Sequence, residues 1–232
     1  MQKRIIAIGG GEIKNKTTLE IDRYVASLAK EHAGENRANA LFIGTASHDS
    51  MPYFNSFRKT YTSVFDIKAE VALMVYGEMN VERIAEKIKK ADCIYIGGGD
   101  TLYMLEKWAE LGIDKLIIDA YNNGTIICGL SAGAICWFKD MYTDYEIMRG
   151  QSADYVLKKG LGVLDGCMCP HFDDREKDFL EALKKGDIKN CYCVENNSAI
   201  EFVNGEFTKS ISSGGKSYFI TCDGDNITKK EI

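Results

Sequence analysis

Thr125-Ile-Ile-Cys-Gly-Leu-Ser131-Ala-Gly-Ala-Ile-Cys-Trp137 joins an apolar, β-branched run to a tight Gly-x-Ser-x-Gly and then to small helix-forming residues. That order is the order of a nucleophile elbow: a buried strand ends in a sharp turn, a serine hydroxyl stands above the sheet, and a helix begins at once. Gly129 and Gly133 leave the room so tight a turn needs. The first turn of a helix carries backbone N–H groups without intrahelical partners, so the N–H of Ala132 is available to hold an oxyanion beside Ser131. The same string also fits an ordinary strand–turn–helix junction in which Ser131 caps the helix.

Outward from the elbow, short apolar runs alternate with amphipathic helices. Arg4 to Ile8, Asn39 to Ile43, Ala69 to Val75 and Cys93 to Ile96 read as strands. Between them, residues 18–32, 54–61 and 81–88 read as helices; Val81, Ile84, Ala85 and Ile88 keep the i, i+3, i+4, i+7 spacing of one buried face. A further helix carries Leu102, Leu105, Trp108 and Leu111. Strands separated by helices predict an α/β fold, a mostly parallel sheet with helices on both faces. Past the elbow, residues 139–146 run polar, residues 166–169 are strand-like, and residues 175–184 form a helix. The segment from Cys191 onward breaks into short alternating pieces with Asn-Gly and Asp-Gly turns, which predict antiparallel hairpins near the C-terminus.

Composition narrows the function classes. A chain of 232 residues with 45% hydrophobic and 27% charged residues suits one large domain spanning residues 1–232, with a substantial core. A formal net charge of -5 offers no basic field for nucleic acid or an anionic membrane. No run reaches membrane-spanning length and no signal peptide opens the chain, which predicts a cytoplasmic protein. The eight cysteines fit that compartment as reduced thiols, and their spacing predicts no metal site. Monomer and homodimer both stay open.

Glycine-rich turns follow two strands. Gly97-Gly-Gly-Asp-Thr101 presents backbone N–H groups at a strand's C-terminal end, where ligands of open parallel sheets collect. It lacks the Gly-x-Gly-x-x-Gly of dinucleotide sites, so a second oxyanion donor is the stronger reading. Gly9 to Gly11 predict a tight turn lining the same crevice. A serine nucleophile needs a base, and three histidines are available. His32 lies in a polar helix end. His48 follows the second strand. His171 follows Pro170 downstream of the serine, in the chain order of hydrolase triads, and is favoured. Asp144 and Glu146, between serine and histidine, are both candidates for the orienting acid.

Three motifs in order, Gly97-Gly-Gly-Asp-Thr101, Gly129-Leu-Ser-Ala-Gly-Ala134 and Pro170-His-Phe172, resemble peptidase E, the aspartyl dipeptidase family related to cyanophycinases, with a class I glutamine amidotransferase-like fold. The resemblance covers most of the chain and implies a serine peptidase without metal or cofactor. Its substrates would be small peptides, dipeptides with N-terminal aspartate foremost. It implies Ser131 as nucleophile, His171 as base, and the N–H groups of Gly99 and Ala132 as oxyanion hole. Arg175 resembles the family arginine that pairs with the substrate aspartate, and Asp100 replaces the family's usual asparagine beside the substrate. Two other readings remain: a cyanophycinase-like hydrolase of β-aspartyl or isopeptide bonds, and a non-catalytic small-molecule binding module.

Overall fold

The computed structural model describes residues 2–77, 79–152, 154–186, 188–224 and 226–232. In chain order the first part comprises β1 (Arg4–Ile8), α1 (Leu19–Ala33), β2 (Asn39–Ile43), α2 (Met51–Ser63), β3 (Lys68–Ala72), α3 (Val81–Lys89), β4 (Cys93–Ile96), α4 (Thr101–Leu111), α5 (Ile113–Asn122) and β5 (Ile126–Leu130). After the elbow come α6 (Ala132–Ile135), β6 (Phe138–Thr143), α7 (Tyr145–Met148), β7 (Val156–Lys159), β8 (Leu164–Pro170) and α8 (Phe172–Lys184). The chain closes with β9 (Asn190–Val194), β10 (Ser198–Val203), β11 (Glu206–Ser212), β12 (Ser217–Asp223) and β13 (Asn226–Glu231).

The fold is α/β, and the strands form two mixed sheets. The first has seven strands in the order β11-β10-β1-β5-β4-β2-β3. Its five strands from β1 to β3 are parallel, and the β10–β11 hairpin adds to β1 antiparallel. Of these, β1, β2, β4 and β5 are buried on both faces, which is why they read as near-continuous apolar runs, while the edge strand β3 is only partly buried. Their period of two splits the core. Ile5, Leu41, Ile94 and Ile127 face α3 to α6, with Trp108, Ile117 and Trp137 among the partners. Ile6, Phe42, Tyr95 and Cys128 face α1 and α2, against Ile21, Val25, Phe57 and Tyr61.

The second sheet, β13-β12-β9-β8-β6-β7, has a parallel centre of β6, β8 and β9. Antiparallel strands flank it: β7 on β6, and the β12–β13 hairpin on β9. Helix α8 covers it through Phe172, Phe179 and Leu183. The sequence pattern does not separate this sheet from the first. Residues 139–146 look like a polar loop, yet Phe138, Met141, Tyr142 and Thr143 are buried while Lys139 is exposed, and the segment pairs as β6. The helix after the elbow is correspondingly one turn long, because the chain enters β6 at once. A separate α5 also forms where the sequence shows no boundary, set off from α4 by Gly112 in the left-handed region (φ 70°).

The two sheets meet at the C-terminal end of β1. The His171 N–H donates to the Gly9 carbonyl at 3.1 Å, the Asn197 N–H to the Gly10 carbonyl at 2.9 Å, and Gly10 forms a parallel bridge with Asn196. The ends of β1, β4, β5, β8 and β9 therefore open on one crevice, as expected where ligands gather in open α/β sheets. Among the described residues no helix is long and apolar enough to cross a membrane.

Candidate active site

Ser131 sits between β5 and α6 with φ 51° and ψ -107°, a conformation that L-residues avoid and that serine elbows hold under strain. Flanking glycines make it possible by close approach. A β-carbon on Gly129 would collide with the Gly133 carbonyl, and one on Gly133 with the Ile96 carbonyl of the neighbouring strand. The turn thus packs directly on β4, and Ser131 is left at the mouth of a cavity of about 460 Å³.

His171 occupies the junction of β8 and α8, also with positive φ (50°). Its Nε2 lies 2.9 Å from Ser131 Oγ. Its Nδ1 lies 2.7 Å from the side-chain oxygen of Asn196, which follows β9. The pair rests on Gly10, where a β-carbon would overlap both the His171 ring and the Asn196 oxygen. The predicted role of the Gly9 to Gly11 turn as crevice lining is accordingly more specific: its middle residue is the floor beneath the histidine. Burial of the ring and, next, the Arg175 guanidinium hold His171 below the usual imidazole range, against the opposing pull of Asn196, Asp144 and Asp174.

Neither expected acid meets the histidine. Asp144 Oδ2 pairs with Arg175 Nη2 at 2.8 Å. Glu146 accepts from the Tyr145 hydroxyl at 2.6 Å and lies 3.7 Å from Lys158 Nζ. Asp144 caps α7 and Glu146 lies within it, and each is held by a partner other than the histidine. Asn196 holds the place instead, and sequence reading missed it because it lies downstream of the histidine and is not a carboxylate. Arg175 is 4% exposed, its guanidinium 4.9 Å from the Tyr155 ring centroid and its Nη1 3.5 Å from the Tyr142 carbonyl. It does not line the cavity beside Ser131. An arginine so enclosed is occupied by Asp144, and its guanidinium is not turned toward that cavity.

Asp100 caps α4, accepting from the Tyr103 N–H at 2.9 Å. Arg149 grips it at 2.8 and 3.3 Å, so the charge added by this aspartate is neutralised within the protein. Gly98 and Gly99 line the cavity with Ser131 and His171. Among the described residues no hydrogen-bond acceptor takes the N–H of Gly99 or of Ala132. The other two histidines are engaged elsewhere: His32 with Asp92 at 2.8 Å, and His48 against the Tyr103 ring at 4.2 Å between centroids. Glu12, Lys14, Tyr53 and Ser56 complete the polar lining of the cavity, and none was singled out by its sequence context. Among the described residues no cluster of three or more His, Cys, Asp or Glu side chains is arranged to hold a metal ion.

A serine on a strained elbow, bonded to a histidine and flanked by free N–H groups, can perform acyl transfer. Comparison with known proteins agrees. The profile of peptidase family S51 matches residues 5–210. The chain is 30% identical over 222 residues to an uncharacterized peptidase of Bacillus subtilis (strain 168), YgaJ, spanning 93% of this chain and 91% of that one. It is 22% identical over 229 residues to peptidase E of Haemophilus influenzae, covering 94% of this chain and 99% of the relative. The crystal structure of a peptidase from an acI-B1 actinobacterium shares the fold with a TM-score of 0.71 at 15% identity, over 100% of this chain and 97% of the other. With 93% of its length aligned to a peptidase at 30% identity and residues 5–210 matching the family profile, the chain belongs to peptidase family S51 and is a serine-type peptidase.

Proposed function

We propose that the protein hydrolyses dipeptides with an N-terminal aspartate, with Ser131 as nucleophile and His171 as general base. The observation that carries this reading is the 2.9 Å approach of His171 Nε2 to Ser131 Oγ on the elbow. Ser131 Oγ attacks the scissile carbonyl carbon while its proton passes to His171 Nε2. The tetrahedral oxyanion is held by the N–H groups of Gly99 and Ala132. His171 then returns the proton to the leaving amine as the C–N bond breaks. Water, deprotonated by the same imidazole, attacks the acyl carbon, and as the C–Oγ bond breaks the imidazolium returns that proton to Ser131 Oγ, releasing the acid and the resting serine.

The cavity volume of about 460 Å³ suits a small peptide and not an extended chain. Lys14 is the one lysine or arginine lining it among the described residues, and a flexible ammonium suits the aspartate side chain. Glu12, on the same loop, suits the substrate's α-ammonium. Arg175 in this account holds Asp144 and the α7 segment in place. The cytoplasm suits eight thiols that all stand free.

Hydrolysis of a panel of Asp-Leu, β-Asp-Leu, Glu-Leu and Ala-Leu by wild type and Lys14→Ala tests the assignment. Asp-Leu is expected to be cleaved best, with KM rising about tenfold or more in the variant, and Ala-Leu unaffected. Preferential cleavage of β-Asp-Leu would replace the dipeptidase reading with an isopeptide hydrolase.

A further inference from the structure

Asn196 is held by more contacts than a loop asparagine needs. Its Nδ2 faces three carboxylate oxygens: Asp173 Oδ1 at 3.1 Å, Asp173 Oδ2 at 3.0 Å and Asp174 Oδ2 at 2.8 Å. Its backbone N–H donates to Asp173 Oδ1 at 2.9 Å. Ionised carboxylates only accept, so the NH2 group must lie on their side and the amide oxygen on the other. That oxygen also only accepts, and it is 2.7 Å from His171 Nδ1. The proton of a neutral imidazole is thereby drawn to Nδ1, and Nε2 is left bare toward Ser131 Oγ. A flipped amide, or the other tautomer, would set donor against donor or lone pair against lone pair.

We infer that Asn196 is the positioning residue of the serine–histidine pair, and that Asp173 and Asp174 act through it to fix the tautomer in which His171 is a base. The inference rests on the roles given above to Ser131 and His171. Side-chain amides fill this place in papain-like peptidases, so the chemistry does not require a carboxylate there. Two aspartates one residue removed still contribute. As His171 takes the serine proton, its positive charge is met by an amide dipole whose far end is anchored on two negative groups. Because Asp173 and Asp174 are exposed and lie in the first turn of α8, they can be removed without opening the core.

The test is the tautomer itself, read from imidazole 15N shifts of the resting protein, together with the rate at which a fluorophosphonate labels Ser131. Wild type should hold the proton at Nδ1. Asn196→Ala, and independently the folded double variant Asp173→Ala/Asp174→Ala, should shift it toward Nε2. Labelling should slow by about 10²-fold or more in the first, since a wrong tautomer costs up to about 10⁴ in serine peptidases, and by a smaller factor in the second. An unchanged Nδ1–H tautomer in both variants, with labelling within about twofold of wild type, would overturn the inference. If wild type cleaves no dipeptide while the tautomer shift is intact, the substrate assignment fails and the role of Asn196 stands.

Discussion

Ser131 and His171 meet at 2.9 Å, yet the molecule sets them in place by opposite means. The serine is fixed by its immediate neighbours: Gly129, Gly133 and the positive φ of residue 131 define its position within five residues. The histidine is fixed by distant chain. Its N–H bonds the Gly9 carbonyl, its floor is Gly10, and the oxygen at its Nδ1 belongs to Asn196, in the segment just after β9. A serine placed locally and a histidine placed by convergence have different weaknesses, because contacts far apart in sequence exist only once both sheets have formed.

The sharpest way to break the convergent half without touching the local half is Gly10→Ala. Gly10 does not adopt positive φ, so the cost is contact alone. The new methyl overlaps the His171 ring and the Asn196 oxygen, and a displacement near 1 Å at such a pair costs about 10²-fold in kcat/KM. Circular dichroism and Tm should move far less than activity.

A smaller effect separates charge from geometry. Burial and Arg175 keep His171 below the usual imidazole range, which favours the neutral ring, so with His171 as the proposed base the acid limb of kcat/KM is expected to lie lower than that of an ordinary imidazole. Arg175→Met removes the repelling cation and frees Asp144 to act on the imidazole. Both changes favour the protonated ring, so the acid limb should move to higher pH. A pH profile of the two proteins with one substrate decides it, and an unmoved limb would mean that Arg175 does not act on His171.

The smallest effect on activity and the clearest on stability comes from a buried carboxylate outside the lining of the Ser131 cavity, Asp22. Asp22 lies on α1 with Thr18 Oγ1 at 2.8 Å and the Tyr61 hydroxyl at 3.3 Å, and burial pushes its pKa up to about 7. From the ordinary value of 3.8 up to about 7, the folded state keeps a proton the unfolded chain has released. Stability therefore falls as pH rises through that window. Asp22→Asn removes the dependence. Its stability relative to wild type, from urea unfolding, should be more favourable at pH 8 than at pH 5 by on the order of 2 kcal/mol, with dipeptide hydrolysis unchanged.

The same contrast governs what the sequence discloses. The α/β fold and the elbow are legible because each depends on contiguous residues: period-two apolar runs, helical spacing, glycines around a serine. The Gly97 to Gly99 turn is legible for the same reason. The second sheet is hidden where β6 carries the polar pair Lys139, exposed, and Asp140, half-buried, at its start, so that this stretch reads as loop. Asn196 is hidden more deeply. It lies 25 residues beyond His171, and only the parallel register of β8 with β9, Met168 beside Tyr192 and Cys169 beside Cys193, brings the two strand ends level. Asp144 and Glu146 attract the acid role by chain order, by their polar surroundings and by the family resemblance, none of which reports the partners that the fold gives them. Arg175 resembles a substrate-pairing arginine in sequence, whereas Phe172, Phe179 and Leu183 turn that face of α8 inward and take the arginine with them.

The central claim is that a single hydroxyl, that of Ser131, carries the peptidase reaction, and Asp-Leu hydrolysis by wild type and Ser131→Ala under identical conditions tests it most directly. Loss of the nucleophile should lower kcat by about 10⁴- to 10⁶-fold with the fold intact. A Ser131→Ala protein that cleaves Asp-Leu within about tenfold of wild type would contradict it, since residual catalysis without the nucleophile falls orders of magnitude lower.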